Sequence, residues 1–145
     1  MFRLLQLLLL ISISIFIYFA IAMCVPWYSI QSPVFVIDKI YKPGDYVELE
    51  LNRSALINIA GKATRELIRI KKAEEYEILT VNINTDIEKG QKRKILYFRL
   101  PTQKECPQLI EGDYIWFGNV QYSPFGVFRR SEHFKTKTFK IKIGD

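Results

Sequence analysis

Residues 46–51 read YVELEL, and in this stretch Val47, Leu49 and Leu51 alternate with more polar side chains. A period of two is typical of a β-strand that has one face against a protein core and the other in water. The stretch therefore predicts a half-buried strand, and a similar pattern recurs further along the chain.

Strands are predicted along most of the chain after residue 31. They cover residues 34–38, 46–51, 65–71, 79–83, 96–100, 114–122 and 139–143. Residues 52–62 are ambiguous and are compatible with a short helical turn. About seven strands without intervening helices favour an all-β fold, either an antiparallel β-sandwich or, as the alternative, a partly open β-barrel.

Turn residues separate the predicted strands. Lys42-Pro43-Gly44-Asp45 precedes the strand at 46–51, and Pro101 follows the strand at 96–100. Proline presets φ and glycine accepts a positive φ, so both residue types favour tight turns. Ser123-Pro124 with Gly126 predicts a hairpin tip after the strand at 114–122.

Three of these segments carry a resemblance to a known class. They are Lys42-Pro43-Gly44-Asp45 leading into a strand, Gly112-Asp113-Tyr114 opening a strand that ends in Val120-Gln121-Tyr122, and the closing Phe139-Lys140-Ile141. Together, over roughly residues 33–143, they resemble small immunoglobulin-like β-sandwich proteins of bacterial envelopes and tailed phages. The resemblance implies a binding or scaffolding role. It also suggests Tyr114 as a corner tyrosine, although Trp116 stands where the antibody pattern has cysteine.

The first part of the chain is a continuous uncharged run and not an alternating pattern. No charged residue occurs from residue 4 to residue 25, a length that can span a bilayer as one helix. We predict a signal-anchor segment at residues 1–30, with the β-sandwich domain at 31–145. The anchor is represented by Leu4, Leu10, Ile17, Trp27 and Tyr28, the last two as an interfacial aromatic pair.

Two alternatives remain open for this segment. Ala20-Ile21-Ala22 matches a signal-peptidase pattern, so that a secreted or periplasmic protein could result from cleavage. Cys24 could instead carry a lipid, although the residue before it is not small. Arg3 is the only basic residue before Lys39, which favours a cytoplasmic N-terminus and a domain outside the cytoplasm.

The sequence offers no clear catalytic constellation. His133 is the only histidine, and Ser131-Glu132-His133 is interpreted as a polar turn. Glu74, Glu75 and Glu77 are interpreted as a solvated charged turn, and the acidic neighbour of Cys106 disfavours a reactive thiolate. We therefore expect no enzyme activity, no cofactor and no metal site, and we expect no disulfide between Cys24 and Cys106.

Basic residues give the chain a net charge of +6. They include Lys92-Arg93-Lys94, predicted to lie in a loop, and the lysines that alternate along the last predicted strand. Anionic lipid, glycan or an acidic protein is a more suitable partner than nucleic acid, because an exported domain would rarely meet nucleic acid. We expect membrane lipid as one partner and an unidentified protein as another.

The segment after residue 121 is the candidate contact loop. Its predicted partner-binding residues are Tyr122, Phe125, Val127, Phe128, Arg129 and Arg130. Aromatic residues with arginine are typical of interface cores. The alternative is that Phe125 or Phe128 folds back over the open end of the sandwich.

Function is therefore predicted at the level of architecture. The leading hypothesis is a single-pass, membrane-anchored, non-catalytic interaction module. One alternative is an accessory structural subunit of a larger membrane assembly, in which Ser12 and Ser14 mediate helix contacts. The other is the secreted or periplasmic binding protein that cleavage would produce.

Overall fold

The structure is a computed structural model that describes residues 2–126 and 128–144. One helix precedes ten strands and a short 3₁₀ turn. In chain order these are α1 (Phe2–Cys24), β1 (Tyr28–Ile30), β2 (Phe35–Val36), β3 (Ile40–Tyr41), β4 (Tyr46–Ala55), β5 (Ile59–Lys71), β6 (Glu74–Ile87), β7 (Gly90–Arg99), β8 (Gly112–Tyr122), the 3₁₀ turn (Pro124–Gly126), β9 (Arg130–Lys135) and β10 (Phe139–Ile141).

Helix α1 has the length and composition needed to cross a membrane, and it lies almost entirely outside the sandwich. Its 23 residues correspond to about 35 Å at 1.5 Å per residue, against a hydrocarbon core of about 30 Å. Leu4, Leu10 and Ile17 are all exposed. A signal sequence at an N-terminus can have the same properties, so the helix alone does not decide between the two.

The strands form two sheets. In the smaller sheet, β4 pairs on one side with β1 and β2 and on the other with β7, all antiparallel. In the larger sheet the order is β3-β10-β8-β5-β6, and β9 also pairs with β8. Within the described residues the two sheets stay separate and do not form a closed barrel.

The core lies between the two sheets. Val47 and Leu49 of β4 are fully buried, as is Leu67 of β5. The rings of Phe98 (β7) and Trp116 (β8) meet edge to face across the layers at 5.4 Å. The alternation that predicted the strand at 46–51 is therefore the alternation between this core and solvent.

Two ends of the sandwich can now be distinguished. At the helix-facing end, β4 ends at Ala55, β8 ends at Tyr122 and β9 begins at Arg130. At the distal end, β7 ends at Arg99 and β8 begins at Gly112. Only residues 25–27 separate α1 from β1, so the helix-facing end follows directly on the helix.

Several sequence predictions need correction at the level of elements. Residues 52–62 contain no helical turn, because β4 runs to Ala55 and β5 begins at Ile59. Residues 74–77 belong to β6, and Lys92-Arg93-Lys94 lies within β7. The segment Ser131-Glu132-His133 lies in β9. In each case pairing with a distant strand supplies the main-chain hydrogen bonds that local composition did not suggest.

The start of the sandwich also differs from the prediction. Tyr28 opens β1 and pairs with Ala55, so the sheet begins within the segment assigned to the anchor. Trp27 and Tyr28 are 9% and 3% exposed. Their rings are covered by protein and belong to the core, and the placement of this pair at a lipid interface stays a prediction.

Candidate functional site

Within the candidate contact loop, the described residues 123–126 and 128–130 pack against the end of α1; we call them the tip loop. The ring of Phe125 lies 5.1 Å from that of Trp27 and 6.1 Å from that of Tyr18. The ring of Phe128 meets that of Phe19 edge to face at 5.2 Å. We define the joint by the residues that make this contact, namely Tyr18, Phe19, Ala22, Trp27, Phe125, Phe128 and Arg130.

Arg130 caps the helix. Its Nη1 atom donates to the carbonyl oxygens of Ala22 at 3.1 Å, Met23 at 2.7 Å and Val25 at 3.3 Å. The last carbonyls of a helix lack intrahelical partners and carry the negative end of its dipole, so a cation stabilises them. The pairing of Arg130 with Tyr122 holds the main chain of Arg130 in place, within reach of these carbonyls.

Trp27 connects the helix to the sheet. Its Nε1 donates to the Ala22 carbonyl at 3.0 Å, and its own carbonyl accepts from the Leu56 amide at 2.8 Å. Ala22 is buried, and its small side chain lets the sandwich approach the helix closely. The burial of Trp27 thus serves the joint.

The tip of the loop has an uncommon backbone conformation. Phe125, which follows the buried Pro124 and precedes Gly126, has a φ of 54°. A bulky residue in the left-handed region is strained, and such strain often marks a functional segment. The Phe125 side chain nevertheless remains 57% exposed.

Two tyrosines support the joint from inside the sandwich. The rings of Tyr28 and Tyr122 meet edge to face at 6.0 Å. Burial raises the pKa of both phenols, and the positive charge of Arg130 only partly offsets this for Tyr122. Both phenols therefore stay neutral at physiological pH, and Arg130 supplies the charge of the joint.

The structure thus brings together part of the predicted partner-binding set. Phe125, Phe128 and Arg130 contact the helix, whereas Tyr122 is buried in the core and Arg129 is exposed. Val127 lies outside the described residues. The sequence prediction missed Tyr18, Phe19 and Ala22, although the aromatic pair near the end of an otherwise aliphatic run was a signal.

Elsewhere, the described part of the chain has no group of three or more His, Cys, Asp or Glu side chains placed to hold a metal. The exposed His133 stacks on Phe117 at 6.0 Å. Both cysteines are free, with Cys24 exposed and Cys106 buried. Ion pairs such as Arg93–Glu50 at 2.7 Å lie on the surface. None of these groups forms a nucleophile–base arrangement.

The fold and the joint define a class: a mostly β protein of two sheets, preceded by one apolar helix that fits a membrane anchor or a signal sequence. No known protein family matches the sequence, and neither does any characterised protein.

Solved structures show a distant likeness. The chain is similar to the sporulation control protein Spo0M of Bacillus subtilis, with 13% identity, a TM-score of 0.42, and coverage of 83% of this chain and 51% of that one. It is also similar to the C-terminal domain of Wzt, with 11% identity, a TM-score of 0.48, and coverage of 81% and 72%. The chain thus spans about half the length of the Spo0M structure, and neither likeness identifies a function.

Proposed function

We propose that this protein is a membrane-anchored, non-catalytic interaction module. In this proposal α1 spans the membrane, the N-terminus is cytoplasmic, and the joint holds an immunoglobulin-like β-sandwich outside the cytoplasm. The capping of α1 by Arg130 carries the proposal, because it gives the helix a structural partner within the mature domain.

The joint favours a retained helix over a cleaved signal peptide. Cleavage after Ala22 would remove Tyr18 and Phe19, the rings on which Phe125 and Phe128 pack. It would also remove the Ala22 carbonyl that accepts from both Trp27 and Arg130. The tip loop would then expose its aromatic rings to water, which costs free energy in proportion to their apolar area.

The helix itself is suited to lipid. The hydroxyls of Ser12 and Ser14 donate to the carbonyl oxygens of Leu8 and Leu10, at 2.9 and 2.8 Å. A hydroxyl satisfied within its own helix costs little in a bilayer, where unpaired polar groups are expensive. Both serines therefore fit a lipid-facing or a helix-facing position equally well.

Strand order supports the immunoglobulin-like part of the proposal. If β4, β5, β6, β7 and β8 are strands B, C, C′, E and F, then β1 and β2 form strand A, and β9 and β10 form strand G. The A-B-E sheet then faces a C′-C-F-G sheet. The hydroxyl of Tyr114 donates to the Ile110 carbonyl at 2.6 Å, as a corner tyrosine does near the start of strand F.

An accessory role in a larger membrane assembly is a second candidate. The observation in its favour is that α1 is exposed over most of its length and leaves room for neighbouring helices. Replacing Ser12 and Ser14 by leucine keeps the helix apolar but changes its surface. Loss of co-purifying membrane proteins in this variant, with unchanged membrane insertion, would favour the assembly.

The test of the leading proposal combines extraction with the mature N-terminus. The full chain should resist alkaline extraction from membranes and retain residues 1–22. Leu10→Arg should reduce insertion, because a charge near the bilayer centre costs about 2.5–3.5 kcal/mol. Leu4→Arg is the matched control, since an arginine near the helix end can reach the interface. A soluble chain that begins at Met23 would overturn the proposal.

The orientation of the chain in the membrane is tested with a thiol reagent on intact cells. In a chain with Cys24 and Cys106 replaced by serine and alanine, a cysteine at Gln103, in the exposed loop of the distal end, should react with a membrane-impermeant maleimide added from outside. A cysteine at Arg3 should react only after the membrane is opened. The reverse pattern would place the sandwich in the cytoplasm.

A further inference from the structure

The helix-facing end of the sandwich carries exposed apolar side chains next to the helix. Phe125 is 57% exposed, Leu56 is 45% exposed and Met23 of α1 is 58% exposed. Since the end of α1 and this end of the sandwich are joined directly, these side chains form one surface with the helix.

The tip loop reaches back along the helix rather than stopping at its end. Phe125 lies beside Tyr18, which precedes the last helical residue, Cys24, by six positions. Six residues of α-helix correspond to about 9 Å of axis. In a helix whose apolar run continues to Val25, a ring at the level of Tyr18 lies at the depth of the outer leaflet.

Lipid chains of the membrane that α1 spans are a suitable partner for the exposed part of Phe125. Trp27 and Tyr18 contact the ring, yet more than half of the Phe125 side chain stays exposed beside α1, whose surface is itself exposed. The left-handed φ of 54° holds the ring at the tip of the loop. An exposed aromatic in a strained turn at this depth suits insertion among lipid chains.

The polar rim beside the tip loop suits phospholipid headgroups. Arg129 lines an open groove of about 580 Å³ with Lys62 of β5 and Asp86 of β6. Arginine and lysine can bind the phosphate, while the carboxylate complements a choline or ethanolamine group. The mixed charge fits a zwitterionic headgroup.

We propose that the tip loop is a second membrane contact of this chain. Phe125 inserts into the outer leaflet beside α1, and Arg129 lies among the phosphates of zwitterionic phospholipid. This inference rests on the proposed single-span anchor. It adds that the sandwich lies against the membrane instead of standing clear of it.

The experiment measures depth with one environment-sensitive nitrobenzoxadiazole label on the full chain, in vesicles of phosphatidylcholine alone. The label is placed in turn at Leu10→Cys, Phe125→Cys and Gln103→Cys, with Cys24 and Cys106 replaced by serine and alanine. Quenching is compared between lipids brominated near the headgroup and near the chain ends. We expect positions 10 and 125 both to be quenched by the brominated lipids and position 103 by neither kind.

The three positions separate the two proposals. If position 10 is quenched but position 125 is not, the anchor stands and the second contact is overturned. If neither position is quenched, the anchor itself fails. If position 125 is quenched only when anionic lipid is added, the zwitterionic headgroup assignment is overturned.

Folding of the labelled chain is checked by its thermal transition. A label at Ser123→Cys, an exposed position two residues before the tip, replaces the one at 125 if that variant unfolds. Quenching by the brominated lipids is expected there as well, and its absence would overturn the inference as directly.

Discussion

The two ends of the sandwich are closed in different ways. At the distal end, residues 100–111 fold over the opening, where Leu100 and Leu109 are fully buried. The hydroxyl of Tyr114 fastens this segment through the Ile110 carbonyl. At the helix-facing end, closure comes from Trp27 and from aromatic rings that pack on α1.

The charged side chains at the two ends of the sandwich also bind different kinds of group. At the distal end Arg99 pairs with Glu105 at 3.1 Å, side chain to side chain. At the joint, Arg130 donates to main-chain carbonyls of the helix. The distal end is thus closed by residues of the sandwich alone, whereas the helix-facing end is closed only when the helix is present.

The largest effect is expected where helix and sheet meet. Trp27→Ala removes a buried ring and its hydrogen bond to Ala22, which should lower the free energy of unfolding by about 3–5 kcal/mol. Unfolding of the full chain in micelles can be followed by the fluorescence of Trp116, the other tryptophan. Trp27→Phe is the matched control, since it keeps the contact with Phe125 and should cost less. A loss below about 1 kcal/mol for Trp27→Ala would show that the joint is not needed for closure.

The second largest effect is expected when Arg130 no longer caps the helix. Arg130→Met removes a charged donor from the helix carbonyls, which is worth about 1.5–3 kcal/mol. We expect a broader distribution of distances between spin labels at positions 10 and 103 in nanodiscs, because the sandwich is no longer held in one orientation. Lys140→Met, at an exposed cation of β10 outside the joint, should keep the distribution narrow. An equal broadening in both variants would contradict the role of Arg130.

At the distal end a smaller change is expected, and it should not depend on the membrane. Tyr114→Phe leaves the Ile110 carbonyl without its donor and should cost about 1–3 kcal/mol. Urea unfolding should give the same loss in micelles and in nanodiscs. Tyr97→Phe, at a ring that is 58% exposed, is the control and should stay within about 0.5 kcal/mol. A loss that appears only in nanodiscs would break the distinction between the two ends.

The sequence predicted the sheets better than the joint. Alternation located the buried face of β4 at Val47, Leu49 and Leu51, because each position reports locally on core or solvent. In the edge strand β6 the same pattern was weaker evidence of burial, and Val81 is 38% exposed. Only one neighbouring strand covers β6, which local alternation cannot reveal.

The joint depends on contacts that a local pattern cannot show. The hydrogen bond from Arg130 to Ala22 joins residues 108 positions apart. Trp27 and Tyr28 were interpreted from their neighbours as an interfacial pair, whereas Tyr28 pairs with Ala55 of β4 and its ring meets that of Tyr122. The sequence singled out the tip loop and predicted the helix, but it did not predict the contact between them.

The smallest effect concerns a surface carboxylate of the distal end. The Thr102 amide donates to Glu105 at 2.8 Å, and this bond, followed by that from Arg99, lowers the pKa of Glu105 below 4.5. A lowered pKa in the folded state means that this stabilisation is present above pH 4.5 and is lost as the pH falls through the folded-state pKa. Wild type should therefore melt at a slightly higher temperature than Glu105→Gln at pH 7, and the gap should close in acid. Glu111→Gln, in the same end of the molecule, serves as the control. A gap of constant size from pH 7 to pH 3 would show that the stabilisation does not come from the ionised carboxylate.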